Sequence, residues 1–71
     1  MLRTSIIGLA LMVGPIDTWE PLERRLKIGG RLLWVASSVS VIGLSPGTRV
    51  TLSGHQEHQT ARWIVTLLRI D

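Results

Sequence analysis

The stretch LLWVASSVSVIGLSPGT, residues 32–48, is the longest run without a charged side chain in this sequence of 71 residues. Seventeen residues are the lower limit for a helix that crosses a lipid bilayer. Serine side chains can bond to helix carbonyls or to a neighbouring helix, and small residues let helices approach closely. The run from Leu32 to Thr48 therefore predicts a marginal transmembrane helix that packs against a partner helix, with Ser38 in the contact.

A β-strand is the alternative interpretation of the same run. Val39 and Val41 alternate with serines, and the sequence SPGT from Ser45 to Thr48 is typical of a turn that precedes a strand. This interpretation gives a small α+β domain with a β-hairpin around Ser45 to Thr48, in which residues 49–53 form one strand. The sequence leaves both possibilities open, and the membrane helix is the main expectation.

A second uncharged run, TSIIGLALMVGPI at residues 4–16, lies near the N-terminus. As a helix it would rise about 20 Å, which is less than the ~30 Å thickness of the hydrocarbon core. Such a run suits a buried helix, a re-entrant or anchoring segment, or the hydrophobic part of a signal sequence, although no small-x-small cleavage site accompanies it. As a strand it would need cover on both faces. We expect residues 1–16 to form an apolar N-terminal segment.

Residues 17–31 form a charged linker, and within it the sequence from Pro21 to Ile28 predicts a short amphipathic helix. Proline is favourable at the first helical position, and acidic residues precede basic ones in the order that complements the helix dipole. Leu22 and Leu26 are spaced i, i+4 on one helix face. Gly29 and Gly30 would end the helix.

The linker also carries half of the chain's eight Lys and Arg residues. This basic cluster, which would lie on a solvated face or on an anionic membrane surface, comprises Arg24, Arg25, Lys27 and Arg31. If residues 32–48 span a membrane, the positive-inside rule places the N-terminal half in the cytoplasm.

Residues 49–71 are expected to form a polar loop followed by a C-terminal helix over residues 61–70. Arg62, Thr66 and Arg69 are spaced i, i+4, i+7, which gives one narrow polar stripe on an otherwise apolar helix. Such a helix requires cover on most of its surface. We expect its apolar side chains to contact a partner, namely Trp63, Ile64, Leu67 and Leu68.

The sequence offers little catalytic or metal-binding chemistry. His55 and His58, with Glu57 between them, are the only titratable cluster, and two imidazoles do not complete a metal site. Gly29, Gly30 and Arg31 lack the rest of a phosphate-binding loop, and no nucleophile motif is present. We therefore predict no enzyme activity, no cofactor, no metal and no small-molecule substrate.

Composition favours a membrane or a buried subunit position. The chain is 45% apolar and 18% charged, with no cysteine and a net charge of +3. The high pI reflects the scarcity of groups that titrate above neutral pH. Residues 17–31 also contain three acids, and no aromatic residue lies between the basic ones, which argues against binding of nucleic acid.

These observations predict one domain, residues 1–71, that acts as a small non-catalytic accessory subunit of a larger, membrane-bound protein complex. Its expected partners are larger subunits or further copies of the chain, together with membrane lipid. The alternative is a soluble, cytoplasmic α+β binding or structural module, with self-association possible.

Overall fold

Five β-strands make up the regular structure of the protein. The computed structural model describes residues 10–71, so the expectations for residues 1–9, which include residues 4–9 of the N-terminal uncharged run, lie outside the described residues. The strands are β1 (Ala10–Glu20), β2 (Arg25–Ile28), β3 (Arg31–Val35), β4 (Arg49–Gln56) and β5 (Trp63–Ile70).

The strands close into a barrel in the order β1-β2-β3-β5-β4. β1, β2 and β3 follow one another as antiparallel neighbours, and β4 returns to lie antiparallel beside β1. Three consecutive strands with the fourth beside the first form a Greek key. β5 then fills the space between β3 and β4, parallel to β3 and antiparallel to β4.

The expectation of a mainly α fold with a transmembrane helix is wrong, and so is the α+β alternative. Every regular element in residues 10–71 is a strand, and this part of the chain has no helix that could reach across a bilayer. Leu33 and Val35 enter the barrel at alternate positions of β3, and Leu44 is also buried. These three side chains of the proposed span thus belong to the barrel core, whereas Leu32 and Ile42 are exposed and Ser38 lies in an exposed turn.

The proposed hairpin around Ser45 to Thr48 is also absent, because β4 pairs with β1 and β5. A turn does form there, with Thr48 N–H donating to the carbonyl of Ser45 at 3.1 Å, and β4 begins immediately after it. Val39 and Val41, the proposed partner strand, lie in the connection between β3 and β4 and pack against the core.

The prediction of an amphipathic helix from Pro21 to Ile28 is wrong, because residues 25–28 form β2 and their buried side chains repeat every second residue. Leu26 and Ile28 are buried, whereas Leu22 lies in the turn before β2 and is 95% exposed. Gly29 and Gly30 have φ angles of 55° and 78° and form the two-residue turn between β2 and β3. Two consecutive positive φ angles match the twist of a β-hairpin and favour glycine.

The prediction of a C-terminal helix over residues 61–70 is wrong, because residues 63–70 form β5. A β-bulge in this strand interrupts the period of two that identifies a strand in the sequence. Ser53 pairs with Leu67 and Gly54 pairs with Val65, so Thr66 is an extra residue on β5. A bulge shifts the alternation of inward and outward side chains by one position. The extra residue Thr66 thus falls between Arg62, which precedes β5, and Arg69 at a spacing that resembles one face of a helix.

The barrel interior is a small aliphatic core. Trp19 and Trp63 are partly buried against it, and no polar or charged side chain among residues 10–71 is buried with the core. The buried core residues are Ile16, Leu26, Ile28, Leu33, Val35, Leu44, Val50, Leu52 and Val65.

The backbone of β5 leaves no room for a side chain at Gly54 of β4. A Cβ atom at this position would lie 1.8 Å from the carbonyl oxygen of Ile64. No heavy atom can occupy that space without moving the backbone of β5. Glycine is therefore required at position 54 because no volume is free for a side chain, whereas at positions 29 and 30 the positive φ angles favour glycine without excluding asparagine.

The Arg24 side chain joins the turn before β2 to the end of β3. Its Nη2 donates to the carbonyls of Ala36, at 2.7 Å, and of Val39, while Nε donates to the carbonyl of Val35 at 3.3 Å. Val35 N–H in turn donates to the Arg24 carbonyl at 2.8 Å. The planar guanidinium thus satisfies carbonyls that lie beyond the β2–β3 ladder.

We expect Gly54→Ala to lower the free energy of unfolding by at least about 2 kcal/mol, because the added methyl group overlaps the backbone of β5. Urea unfolding followed by tryptophan fluorescence measures the change. Gly29→Asn is the control, since asparagine tolerates a positive φ and the site is open. Equal stability of Gly54→Ala and wild type would contradict the close approach.

We expect Arg24→Met to cost about 1–3 kcal/mol, because it leaves part-buried carbonyls without their donors. Arg24→Lys keeps the charge but loses the planar fork, so it should restore only part of the stability. Thermal unfolding of the two variants separates these effects. Full recovery with lysine would show that charge alone is what matters at this position.

Candidate interaction surfaces

An apolar surface covers the outside of β1, β4 and β5. Leu11 pairs with Ser53, which pairs with Leu67, so two leucines flank a serine across three strands. Leu11 is 71% exposed and Leu67 is 68% exposed. Val13, two residues along β1 and 58% exposed, extends the same surface. We call Leu11, Val13, Ser53 and Leu67 the leucine face.

The small side chain of Ser53 leaves a shallow depression of about 240 Å³ in the leucine face. Leu11 and Leu67 form its sides, and Thr51 and Arg69 lie at its edge. The Arg69 side chain is 77% exposed and lies 3.5 Å from the Asp71 carboxylate, which also accepts a hydrogen bond from the Thr51 hydroxyl at 3.0 Å. The depression is thus apolar with a polar rim on one side.

A second surface is a row of outward positions that crosses all five strands. Consecutive pairs in the strand register are Glu20 with Arg25, Arg25 with Trp34, Trp34 with Ile64, and Ile64 with His55. All five residues are partly exposed. We call this set the Trp34 row, because the indole lies at its centre.

Two cation–π contacts cross the parallel seam between β3 and β5. The guanidinium carbon of Arg62 lies 4.6 Å from the ring centroid of Trp34, and that of Arg31 lies 5.7 Å from the ring centroid of Trp63. The seam itself has two register pairs, Trp34 with Ile64 and Val35 with Val65. The two arginines therefore reinforce the shortest pairing of the barrel.

Glu20 and Arg25 form an ion pair at one end of the Trp34 row. The hydrogen bond from Arg25 lowers the pKa of the Glu20 carboxyl below its ordinary value of 4.5; partial desolvation opposes the shift, and the charges of Arg25 and Lys27 add to it. The same hydrogen bond raises the pKa of Arg25. Glu20 therefore stays ionised near neutral pH.

The predicted basic cluster does not form one surface. Arg24 bonds to backbone carbonyls, Arg25 and Lys27 lie on the outside of β2, and Arg31 lies against Trp63. The predicted contact residues also separate. Leu67 belongs to the leucine face and Ile64 to the Trp34 row, whereas Trp63 and Leu68 pack against the core. Ser38 lies in the turn after β3, apart from either surface.

His55 and His58 lie on different parts of the structure. His55 belongs to β4, and His58 follows in the β4–β5 loop, where it lines a shallow depression of about 250 Å³ with Gln56, Glu57 and Ala61. Glu57 accepts a hydrogen bond from the Thr60 hydroxyl at 2.6 Å. Within residues 10–71, no three His, Cys, Asp or Glu side chains are close enough to hold a metal ion.

Sequence reasoning missed Leu11, Val13 and Trp34 as surface residues. Leu11 and Val13 belong to the run that as a strand was expected to need cover on both faces, and Trp34 belongs to the proposed membrane span. Buried and exposed positions alternate in the structure from Leu11 to Ile16 and from Leu32 to Val35, but neither stretch carries a polar side chain at its exposed positions, so the sequence gives no alternation signal for them.

We expect Glu20→Gln to lower the melting temperature slightly at neutral pH, because the ion pair is lost. The lowered pKa of Glu20 means that this contribution is present above pH 4.5 and disappears as the pH falls through the pKa of the folded state. Melting curves of both proteins between neutral pH and pH 3 should therefore converge in acid. Glu23→Gln is the control, because it keeps the carboxylate that contacts Arg25. A difference that persists in acid would contradict this assignment.

Comparison with known proteins adds no relative to this description. No family model, no curated protein and no solved structure matches the chain. Its function is therefore proposed from the chemistry of its own surfaces.

Proposed function

We propose that the protein is a non-catalytic accessory module of a larger protein assembly, and that it docks on a larger subunit through the leucine face. The observation that carries this proposal is the exposure of Leu11 and Leu67 on either side of Ser53. Contiguous exposed apolar side chains in a small domain mark interaction sites more often than scattered ones do.

The shape of the leucine face supports an apolar occupant. Burying exposed leucine surface contributes roughly 25 cal/mol per Å² removed from water. The depression over Ser53 gives room for one large apolar side chain from the partner, held between Leu11 and Leu67. A buried anchor of this kind typically carries much of the energy of an interface.

The rim supports a larger subunit with a local negative charge. The Arg69 side chain extends into solvent beside the depression, and its ion pair with Asp71 is long at 3.5 Å. An exposed cation beside an apolar centre suits a partner with a carboxylate at the corresponding position. The expectation that the assembly is membrane-bound depended on the span at residues 32–48 and is not part of this proposal.

We expect Leu67→Lys to weaken binding to the larger subunit by at least about tenfold, because it places a charge in the apolar centre. The partner is identified by affinity purification of the full chain from its native cells, then purified and titrated by calorimetry. Leu22→Lys is the matched control, since Leu22 is an equally apolar, 95% exposed residue in the turn before β2.

Three outcomes would contradict the proposal. Leu67→Lys and wild type could bind the purified partner equally, which would exclude the leucine face. Purified wild type could instead form a dimer that Leu67→Lys dissociates, which would assign the face to a second copy of the chain. Affinity purification of the wild-type chain from its native cells could also yield no bound subunit.

A further inference from the structure

The outer surface of β2 and β3 combines an aromatic ring with cations at short range. Arg25 and Lys27 point outward from β2, since Leu26 and Ile28 are buried, and Trp34 lies directly opposite Arg25 on β3. Lys27 is the diagonal neighbour of Trp34 across the strand pair, where such positions are about 7–8 Å apart. The sequence does not show this proximity, because Lys27 and Trp34 are seven positions apart and lie on opposite sides of the β2–β3 turn.

The Arg62 guanidinium adds a second planar cation to the same place. It lies over the Trp34 ring at 4.6 Å from the centroid, and Arg62 itself is exposed. An indole face and a guanidinium plane are both groups on which nucleic acid bases stack. Because the guanidinium covers one face of the indole, a base that approaches Trp34 stacks on the guanidinium plane that the indole holds in place.

The charge of this surface is positive. Glu20 is the acid in the Trp34 row, and it is bound to Arg25. Lys27 and Arg62 supply positive charge beyond that pair. Phosphates of a strand whose base stacks at Trp34 would come within reach of both cations, and phosphate contacts provide most of the affinity of non-specific binding.

We infer that the outer surface of β2 and β3, with Arg62, binds single-stranded nucleic acid without sequence preference. Trp34 and Arg62 stack a base, and Lys27 and Arg62 meet the adjoining phosphates. A duplex keeps its bases stacked inside and offers none to the indole, so single strands are preferred. An anionic lipid surface would also attract the cations, but it has no planar group that matches the Trp34–Arg62 stack.

The test is fluorescence anisotropy of a labelled deoxythymidine oligonucleotide titrated with the full chain at several salt concentrations. We expect a logarithmic salt slope of about −1.4, corresponding to two phosphate contacts on a single strand. Trp34→Leu should weaken binding about tenfold, whereas Trp34→Phe should stay within about threefold of wild type because it retains an aromatic face. Lys27→Gln should reduce the magnitude of the slope by about 0.7.

Arg69→Gln is the matched control, since it removes one exposed arginine from the rim of the leucine face and should leave binding unchanged. Circular dichroism checks the fold of every variant; if Trp34→Leu unfolds, Lys27→Gln, Arg62→Gln and Trp34→Phe carry the test. The inference is overturned if the oligonucleotide does not bind at low salt, if Arg69→Gln weakens binding as much as Lys27→Gln, or if a duplex binds as tightly. Binding to phosphatidylserine vesicles but not to the oligonucleotide would assign the surface to lipid. Because the leucine face lies on other strands, either proposal can fail without the other.

Discussion

The barrel depends on the absence of a side chain at Gly54, where β4 and β5 come into backbone contact. On β5, opposite Ser53 and Gly54, Thr66 forms a bulge. Bulges increase the local bend and twist of a strand. Beyond this bend the first residues of β5 reach β3 and pair with it in parallel. Closure of the sheet, and with it burial of Val65 in the core, therefore rests on a position that tolerates no added atom.

The same bend divides the outside of the barrel into two chemically different surfaces. Before the bulge, β5 presents Ile64 outward, next to Trp34 and within the row of polar and aromatic residues. After the bulge it presents Leu67, opposite Ser53 and within the leucine face. One extra residue in one strand thus separates the leucine face from the Trp34 row. A module with two such surfaces can contact two unlike partners without competition between them.

Some of the fold was accessible from the sequence and some was not. Gly29-Gly30 between short apolar segments is a known hairpin signal, and reading it as a helix end led to the wrong structure for residues 21–28. The α+β alternative predicted a turn at residues 45–48 and a strand that starts at Arg49, and both are present. Its hairpin and its fold class were wrong. The irregularities at Asp17 and Thr66 interrupt the period of two, so β1 and β5 could not be read from alternation. Leu11 and Leu67 are far apart in the chain, and only the strand order brings them together.

The position of β5 between β3 and β4 also has a kinetic consequence. The hairpin of β2 and β3 can form early, because a two-residue turn joins its strands. Pairing of β1 with β4 and of β3 with β5 must bring together residues that are 30 to 44 positions apart in the chain, and such non-local pairing makes folding slow for a protein of this size. During synthesis the core stays open until Trp63–Ile70 has emerged from the ribosome, so the apolar residues of the first four strands depend on the last strand for their protection from aggregation.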